Sequence, residues 1–226
     1  MSRPGDAELA ATLARRAGEI AIALRAEGRL EGRALGDAGD KAANAFLVAA
    51  LREKRPADAI LSEESEDDAA RLSCSRVWIV DPVDGTREFA EGREDWAVHV
   101  GLAVDGVAHA GAVALPALDL MLTSEAEAGR AHAATGRIVV SRSRPPAEAE
   151  RVAALLGMEL VGMGSAGAKA MAVVRGDADA YLHSGGQYEW DNCAPVAVAQ
   201  AHGLHCSRID GRRCATTGAT SVCPTC

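Results

Sequence analysis

The sequence predicts an α+β protein of layered α/β/α/β/α type, built as two subdomains. Three observations lead there. Helical apolar spacing opens the chain, apolar runs joined by hairpin signals fill its middle, and strands alternate with helices after about residue 136. With 226 residues and 48% hydrophobic content, the chain can bury one large core or two smaller ones. Three Trp, two Tyr and two Phe leave that core mostly to Ala, Val, Leu and Ile.

Leu9, Leu13, Ala17, Ile20, Ile22 and Leu24 recur at helical spacing and predict a helix over 7–27. The Gly-rich stretch from Gly28 to Gly39 should break it. A second helix should start near Asp40 and run through Phe46, Leu47 and Leu51 to about Glu53, before Pro56. Ala59 to Ser62 reads as a short buried strand ending at Glu63-Glu64, and Val77 to Val80 as a strand ending at Asp81-Pro82. Strands over 96–104 and 107–115 flank the hairpin signal Asp105-Gly106, and 119–123 reads as another strand. A boundary is expected within the Ala/Gly/Glu-rich segment 125–136. It gives an N-terminal α+β subdomain at 1–134, an α/β subdomain at 135–211 and a Cys-rich tail at 212–226. The second subdomain should contain strands at 137–141, 159–162 and 178–183 and helices at 146–156, 166–175 and 191–201.

Composition narrows the function. A formal charge of −8 argues against nucleic-acid polymers, whose binding rests on phosphate neutralisation, but not against a small phosphorylated ligand drawn to bound cations. No apolar run reaches the roughly eighteen residues of a membrane span. Met-Ser-Arg-Pro-Gly-Asp has no secretory pattern, so a cytoplasmic protein is expected. Of six cysteines, Cys206, Cys214, Cys223 and Cys226 crowd the end of the chain. A disulfide framework is not expected, and the single Cys-x-x-Cys pair is too little for a zinc ribbon.

The most informative run is Ile79-Val80-Asp81-Pro82-Val83-Asp84-Gly85-Thr86-Arg87-Glu88-Phe89. It delivers two carboxylates and the Val83 carbonyl at the end of a buried strand, the donor set of a hard divalent cation. Asp40, Glu63-Glu64 and Asp191 also stand at the ends of elements. Carboxylates gathered from four such places without basic partners imply bound cations. Each has a plainer explanation as well: Asp40 and Asp191 as helix caps, Glu63-Glu64 as the start of a solvated acidic run. The six histidines show no paired metal-ligand spacing, and no Ser/His/Asp or Cys/His nucleophile arrangement is recognisable.

Ser62-Glu63-Glu64-Ser65, the Trp78–Thr86 run and Glu189-Trp190-Asp191 together resemble the inositol monophosphatase superfamily, in order and spacing, over about residues 7–211. Gly39-Asp40-Lys41-Ala42-Ala43-Asn44, Gly85-Thr86-Arg87-Glu88-Phe89 and Trp190-Asp191-Asn192-Cys193-Ala194-Pro195 are similar to its bacterial CysQ-type 3′(2′),5′-bisphosphate nucleotidase branch. The resemblance implies a sugar-phosphatase-like fold and a Mg²⁺-dependent phosphomonoesterase that hydrolyses 3′-phosphoadenosine 5′-phosphate. Glu63, Asp81 and the Val83 carbonyl would hold one Mg²⁺. Asp81 would bridge to a second, completed by Asp84 and Asp191, with Glu64 in an outer shell or near a third. Thr86 would orient the attacking water and Asp40 accept its proton. Backbone N–H groups of Gly85, Thr86 and Arg87 would cradle phosphate, and Ser165 and Lys169 would meet the nucleotide. Lys169 has the plainer reading of a solvent-facing lysine at a helix start.

Two departures stand out. Relatives place a lysine upstream of Asp40, where only Arg33 could substitute. They also continue past 207–211 with a further strand and helix, so the second subdomain looks truncated. Two alternatives therefore accompany the nucleotide reading: an inositol or sugar phosphate phosphatase with the same metals, and a catalytically impaired binding relative. The resemblance also implies a tendency to form homodimers.

Overall fold

The computed structural model describes residues 5–125, 132–216, 218 and 222–223. Two long helices, α1 (Asp6–Ala26) and α2 (Gly32–Lys54), precede a five-stranded sheet. Its strands are β1 (Ala59–Ser62), β2 (Arg76–Asp84), β3 (Ala97–Val104), β4 (Val107–Leu115) and β5 (Leu120–Thr123), paired in that order. β1 and β2 run parallel, and every later pair is antiparallel. A short helix, α3 (Thr86–Ala90), follows β2. The second half contributes β6 (Arg137–Ser141), α4 (Ala149–Leu156), β7 (Glu159–Met163), α5 (Ala166–Val174) and β8 (Ala180–Tyr181). The three strands form a parallel sheet in the order β7-β6-β8. Last come β9 (Gln187–Tyr188), α6 (Glu189–Ala201) and β10 (Val222–Cys223).

The layers follow from which faces are apolar. Helices α1 and α2 cover one face of the large sheet, where Trp78, Val80, Val98, Val100 and Leu102 join Leu13, Leu47 and Leu51 in one core. Helices α5 and α6 cover the other face, with Val113 and Leu115 against Met171, Ala194 and Val198. α5 also packs against the small sheet through Val139 and Ala172, and Ala149 and Ala153 of α4 close that sheet's far side over Ile138 and Val140. The succession is α/β/α/β/α. The expected boundary at 134/135 adjoins residues 126–131, which lie outside the described residues.

Two expectations are corrected. Helix α2 begins at Gly32, not near Asp40, so Asp40 is a mid-helix residue and not a cap. The glycines that suggested a break are instead a packing face. A Cβ on Gly36 would lie 2.7 Å from Thr86 Cγ2, and one on Gly39 would lie 2.7 Å from Phe89 Cε1. Only bare backbone lets α3 approach α2 this closely.

β2 does not stop at Asp81. Its pairing with β3 shifts between Asp81, opposite His99, and Asp84, opposite Ala97. Three steps on one strand against two on the other is a bulge of one residue, and Pro82, without an N–H to pair, sits inside it.

The described part of the tail touches the rest of the chain at two places. Thr216 N–H donates to the Gly106 carbonyl at 3.0 Å, and β10 pairs antiparallel with β9. Cys206 is partly buried, while Cys226 and the side chain of Cys223 lie outside the described residues. Among the described residues, no helix is long and apolar enough to cross a membrane.

Candidate active site

The bulge builds the site. Side chains alternate along a strand, so residues three apart would point to opposite faces. One extra residue restores the phase, and Asp81 and Asp84 come to the same place. An oxygen of each lies within 4.8 Å of the other and of one from Asp191. Asp191 arrives from the first turn of α6, where its Oδ2 also accepts the Tyr188 N–H at 2.7 Å. It therefore acts at the helix start as a cap would, while its charge faces the other acids.

Burial and mutual repulsion dominate the electrostatics. Asp81 is 2% exposed, and burial followed by Glu63 and Asp84 pushes its pKa well above the carboxylate range. Burial and Asp84 raise Asp191 to about 6. Glu63 stands at the end of β1 on the rim, with partial burial and Asp191 raising it to about 7. Asn44 of α2 holds this turn: its Oδ1 accepts the Ser62 hydroxyl at 2.7 Å and its Nδ2 donates to the Glu64 carbonyl at 3.2 Å. Glu64 itself is exposed.

Asp84 behaves oppositely. Burial would raise its pKa, but His99 and then Lys169 hold it well below its ordinary value. Its Oδ2 accepts the Ser165 hydroxyl and the Gly167 N–H at 2.7 Å, and lies 3.1 Å from His99 Nε2. The other ring nitrogen of His99, Nδ1, lies 2.9 Å from the Trp190 carbonyl. Both ring nitrogens thus lie close to oxygens, Nε2 to the carboxylate and Nδ1 to the carbonyl. Burial alone would lower the His99 pKa, and the Asp84 carboxylate raises it. Sequence reasoning passed over His99. The available signal was its place as the one titratable residue in an otherwise apolar strand, opposite Asp81 in register.

Asp40 and Thr86 meet as expected. The Thr86 hydroxyl lies 2.9 Å from Asp40 Oδ2 and 3.1 Å from the Val83 carbonyl. Burial, then the charges of Glu64 and Glu63, outweigh that hydrogen bond and raise Asp40 to about 8. Gly85, at φ 87°, turns the chain from β2 into α3 in the left-handed region that favours glycine. The exposed guanidinium of Arg87 pairs with Glu91 at 2.8 Å. Arg33 is exposed too and faces Asp37 at 3.7 Å, so it does not replace the missing lysine.

Ser165 and Lys169 are employed differently from the expectation. The Ser165 hydroxyl, besides holding Asp84, accepts the Ala168 N–H at 2.9 Å and caps α5. Lys169 is neither solvent-facing nor extended toward a ligand. It is 5% exposed, and its Nζ donates to the carbonyls of Gly164, at 3.1 Å, and Ser165. Burial lowers its pKa. Both residues still line a cleft of about 540 Å³ with Glu63, Asp84, Asp191 and Arg144.

The donor set fits hard divalent cations. Asp81 and Asp40 each keep one buried oxygen, Oδ1, without a hydrogen-bond partner, and carboxylates so crowded repel one another until cations join them.

A model of the inositol monophosphatase family matches residues 7–224. The chain belongs to the inositol monophosphatase family. The match runs past residue 211, where the resemblance was expected to stop, and takes in the tail strand β10. The 3′-phosphoadenosine 5′-phosphate phosphatase of Mycobacterium leprae is 52% identical over 223 residues, which cover 91% of this chain and 82% of the relative. The 3′(2′),5′-bisphosphate nucleotidase CysQ of Escherichia coli is 29% identical over 188 residues, 77% of this chain and 76% of the relative. In fold, the chain is similar to crystalline CysQ from Bacteroides thetaiotaomicron, with a TM-score of 0.84 and coverage of 97% of this chain and 95% of that one. Family members are generally metal-dependent, in keeping with the acidic triad of Asp81, Asp84 and Asp191.

Proposed function

We propose that this chain is a cytoplasmic, Mg²⁺-dependent bisphosphate nucleotidase that hydrolyses 3′-phosphoadenosine 5′-phosphate to AMP and phosphate. The observation that carries the chemistry is the convergence of Asp81, Asp84 and Asp191 beside the Asp40–Thr86 pair. The 52% identity to a phosphatase of that name carries the substrate. Glu63, Asp81 and the Val83 carbonyl would hold one Mg²⁺, and Asp81, Asp84 and Asp191 a second, with Glu64 in an outer shell. When bound, Mg²⁺ supplies the Lewis acidity that activates water and stabilises the departing oxygen.

The chain's own groups do the rest. Thr86 gives its proton to Asp40 and takes one from the attacking water, so the proton comes to rest on Asp40 Oδ2. In the metal-free site Asp40 is raised to about 8; cations bound beside it favour the carboxylate, the form that can accept this proton. His99, Ser165 and Gly167 fix Asp84 from behind, which leaves it no freedom to swing out of the cluster. Lys169 and Arg144 bring positive charge to a cleft that must admit a polyanion.

The deciding experiment is Mg²⁺-dependent phosphate release from 3′-phosphoadenosine 5′-phosphate, inositol 1-phosphate and fructose 1,6-bisphosphate. The nucleotide should give the highest kcat/KM. Preference for either of the others overturns the substrate, and Mg²⁺ binding without release from any of them overturns the enzyme.

A further inference from the structure

Tyr188 and Trp190 lie at the carboxylate end of the cleft, and both line it. Their ring centroids are 4.7 Å apart and the planes differ by 8°. In a chain with so few aromatic side chains, a parallel stack beside Asp191 is an unusual expenditure of ring surface. Trp190 is half-buried against the apolar cluster of Leu61, Val77 and Ile79, so one of its faces belongs to the core. Tyr188 covers the stack from outside and remains 41% exposed. Stacked on Trp190, it retains exposed surface for a further contact.

The backbone beneath this ring is fixed on every side. The Tyr188 N–H donates to Asp191 Oδ2 at 2.7 Å, and its carbonyl accepts from Asn192 Nδ2 at 2.9 Å. Gln187, buried next to it, donates to the Tyr181 hydroxyl at 2.8 Å. β9 is held from the far side by β10, with Val222 opposite Tyr188. A ring positioned in advance, and tied directly to a carboxylate of the acidic cluster, loses little freedom when it receives a flat partner.

We propose that Tyr188, backed by Trp190, is the platform on which the adenine base of the substrate stacks, and so a specificity-determining residue. The inference rests on the nucleotide reading above, because it takes the reacting phosphate to lie at the carboxylates. In the substrate, one ribose separates that phosphate from a flat base. In the protein, one turn of chain separates Asp191 from the flat face of Tyr188. Stacking on an aromatic face recognises any base, so the platform favours nucleotides over ring-free phosphates without reading base edges. The tail strand thereby serves the substrate cleft, since β10 braces the strand that carries the platform.

The test compares AMP with ribose 5-phosphate by isothermal titration calorimetry on the Mg²⁺-loaded protein. In Tyr188→Ala, the preference for AMP should fall about tenfold, whereas Tyr188→Phe and Tyr188→Trp should keep it. In turnover, Tyr188→Ala should raise KM for 3′-phosphoadenosine 5′-phosphate about tenfold, with kcat within about twofold. An unchanged preference, or an equal weakening of both ligands in all three variants, overturns the platform. Binding is read without turnover. A parent protein whose AMP preference depends on Tyr188, yet which releases no phosphate from the bisphosphate, would sink the proposed reaction and leave the platform standing.

Discussion

Replacing Asp40 by Asn should stabilise the metal-free protein while removing its activity. Asp40 is 5% exposed, and burial with the neighbouring acids raises its pKa from an ordinary 3.8 to about 8. An acid whose pKa is higher in the folded state holds a proton that the unfolded chain has released. Folding then takes up a proton, and stability falls as pH climbs from the unfolded value to the folded one. At about 1.4 kcal/mol per pKa unit, this carboxyl alone removes about 2 kcal/mol between pH 6 and pH 8. Asn keeps an oxygen for the Thr86 hydroxyl but has no charge to desolvate. Urea denaturation in EDTA should therefore show the variant gaining on the parent by about 2 kcal/mol from pH 6 to pH 8. Saturating Mg²⁺ should narrow the gap, because cations beside Asp40 favour its ionised form. Hydrolysis should drop by about 100-fold or more, the usual loss when a general base is removed. A variant no more stable than the parent at pH 8 without metal would refute the argument, since Asp40 would then ionise at no penalty.

Gly36→Ala places a methyl 2.7 Å from Thr86 Cγ2, and should cost about 1–3 kcal/mol and lower kcat by displacing the Thr86 hydroxyl. Parental melting temperature and kcat would show that the gap between α2 and α3 is slack. Asp84→Asn should weaken Mg²⁺ binding by about 10- to 100-fold and also destabilise the fold by about 1–3 kcal/mol. One amide oxygen cannot replace a carboxylate that faces Ser165, Gly167 and the His99 ring together. Calorimetry and thermal melts test both effects, and parent-like melts would contradict the role given to Oδ2.

The layered fold and the acidic cluster were legible because apolar periodicity and carboxylate placement are local signals. What escaped them depends on partners distant in sequence. Gly36 and Gly39 read as helix breakers because nothing nearby shows that Thr86 and Phe89 will press against them. β2 seemed to end at Asp81 because Pro82 signals an ending, and only β3 turns that ending into a bulge. Lys169 was expected to reach for phosphate, but the carbonyls that turn into α5 claim its ammonium first. His99 carried no motif, since its importance lies in Asp84 and the Trp190 carbonyl, which it meets only in the folded chain. The second subdomain looked truncated after 207–211, yet β10 still pairs by backbone with Gln187 and Tyr188.

The bulge at Pro82 makes chain length, more than side-chain identity, the sensitive variable at the centre of the site. Removing Val83 would leave every proposed carboxylate in the sequence and give β2 an unbroken ladder with β3. The two aspartates would then be two apart on a regular strand, with Asp84 still opposite Ala97, but the Val83 carbonyl would be lost from the site. An insertion between Asp81 and Gly85 acts the other way: it adds a step that β3 does not match, and moves Asp84 and Thr86 from the places where they meet Asp191 and Asp40. Such a homologue keeps each motif letter and still loses the arrangement those letters encode.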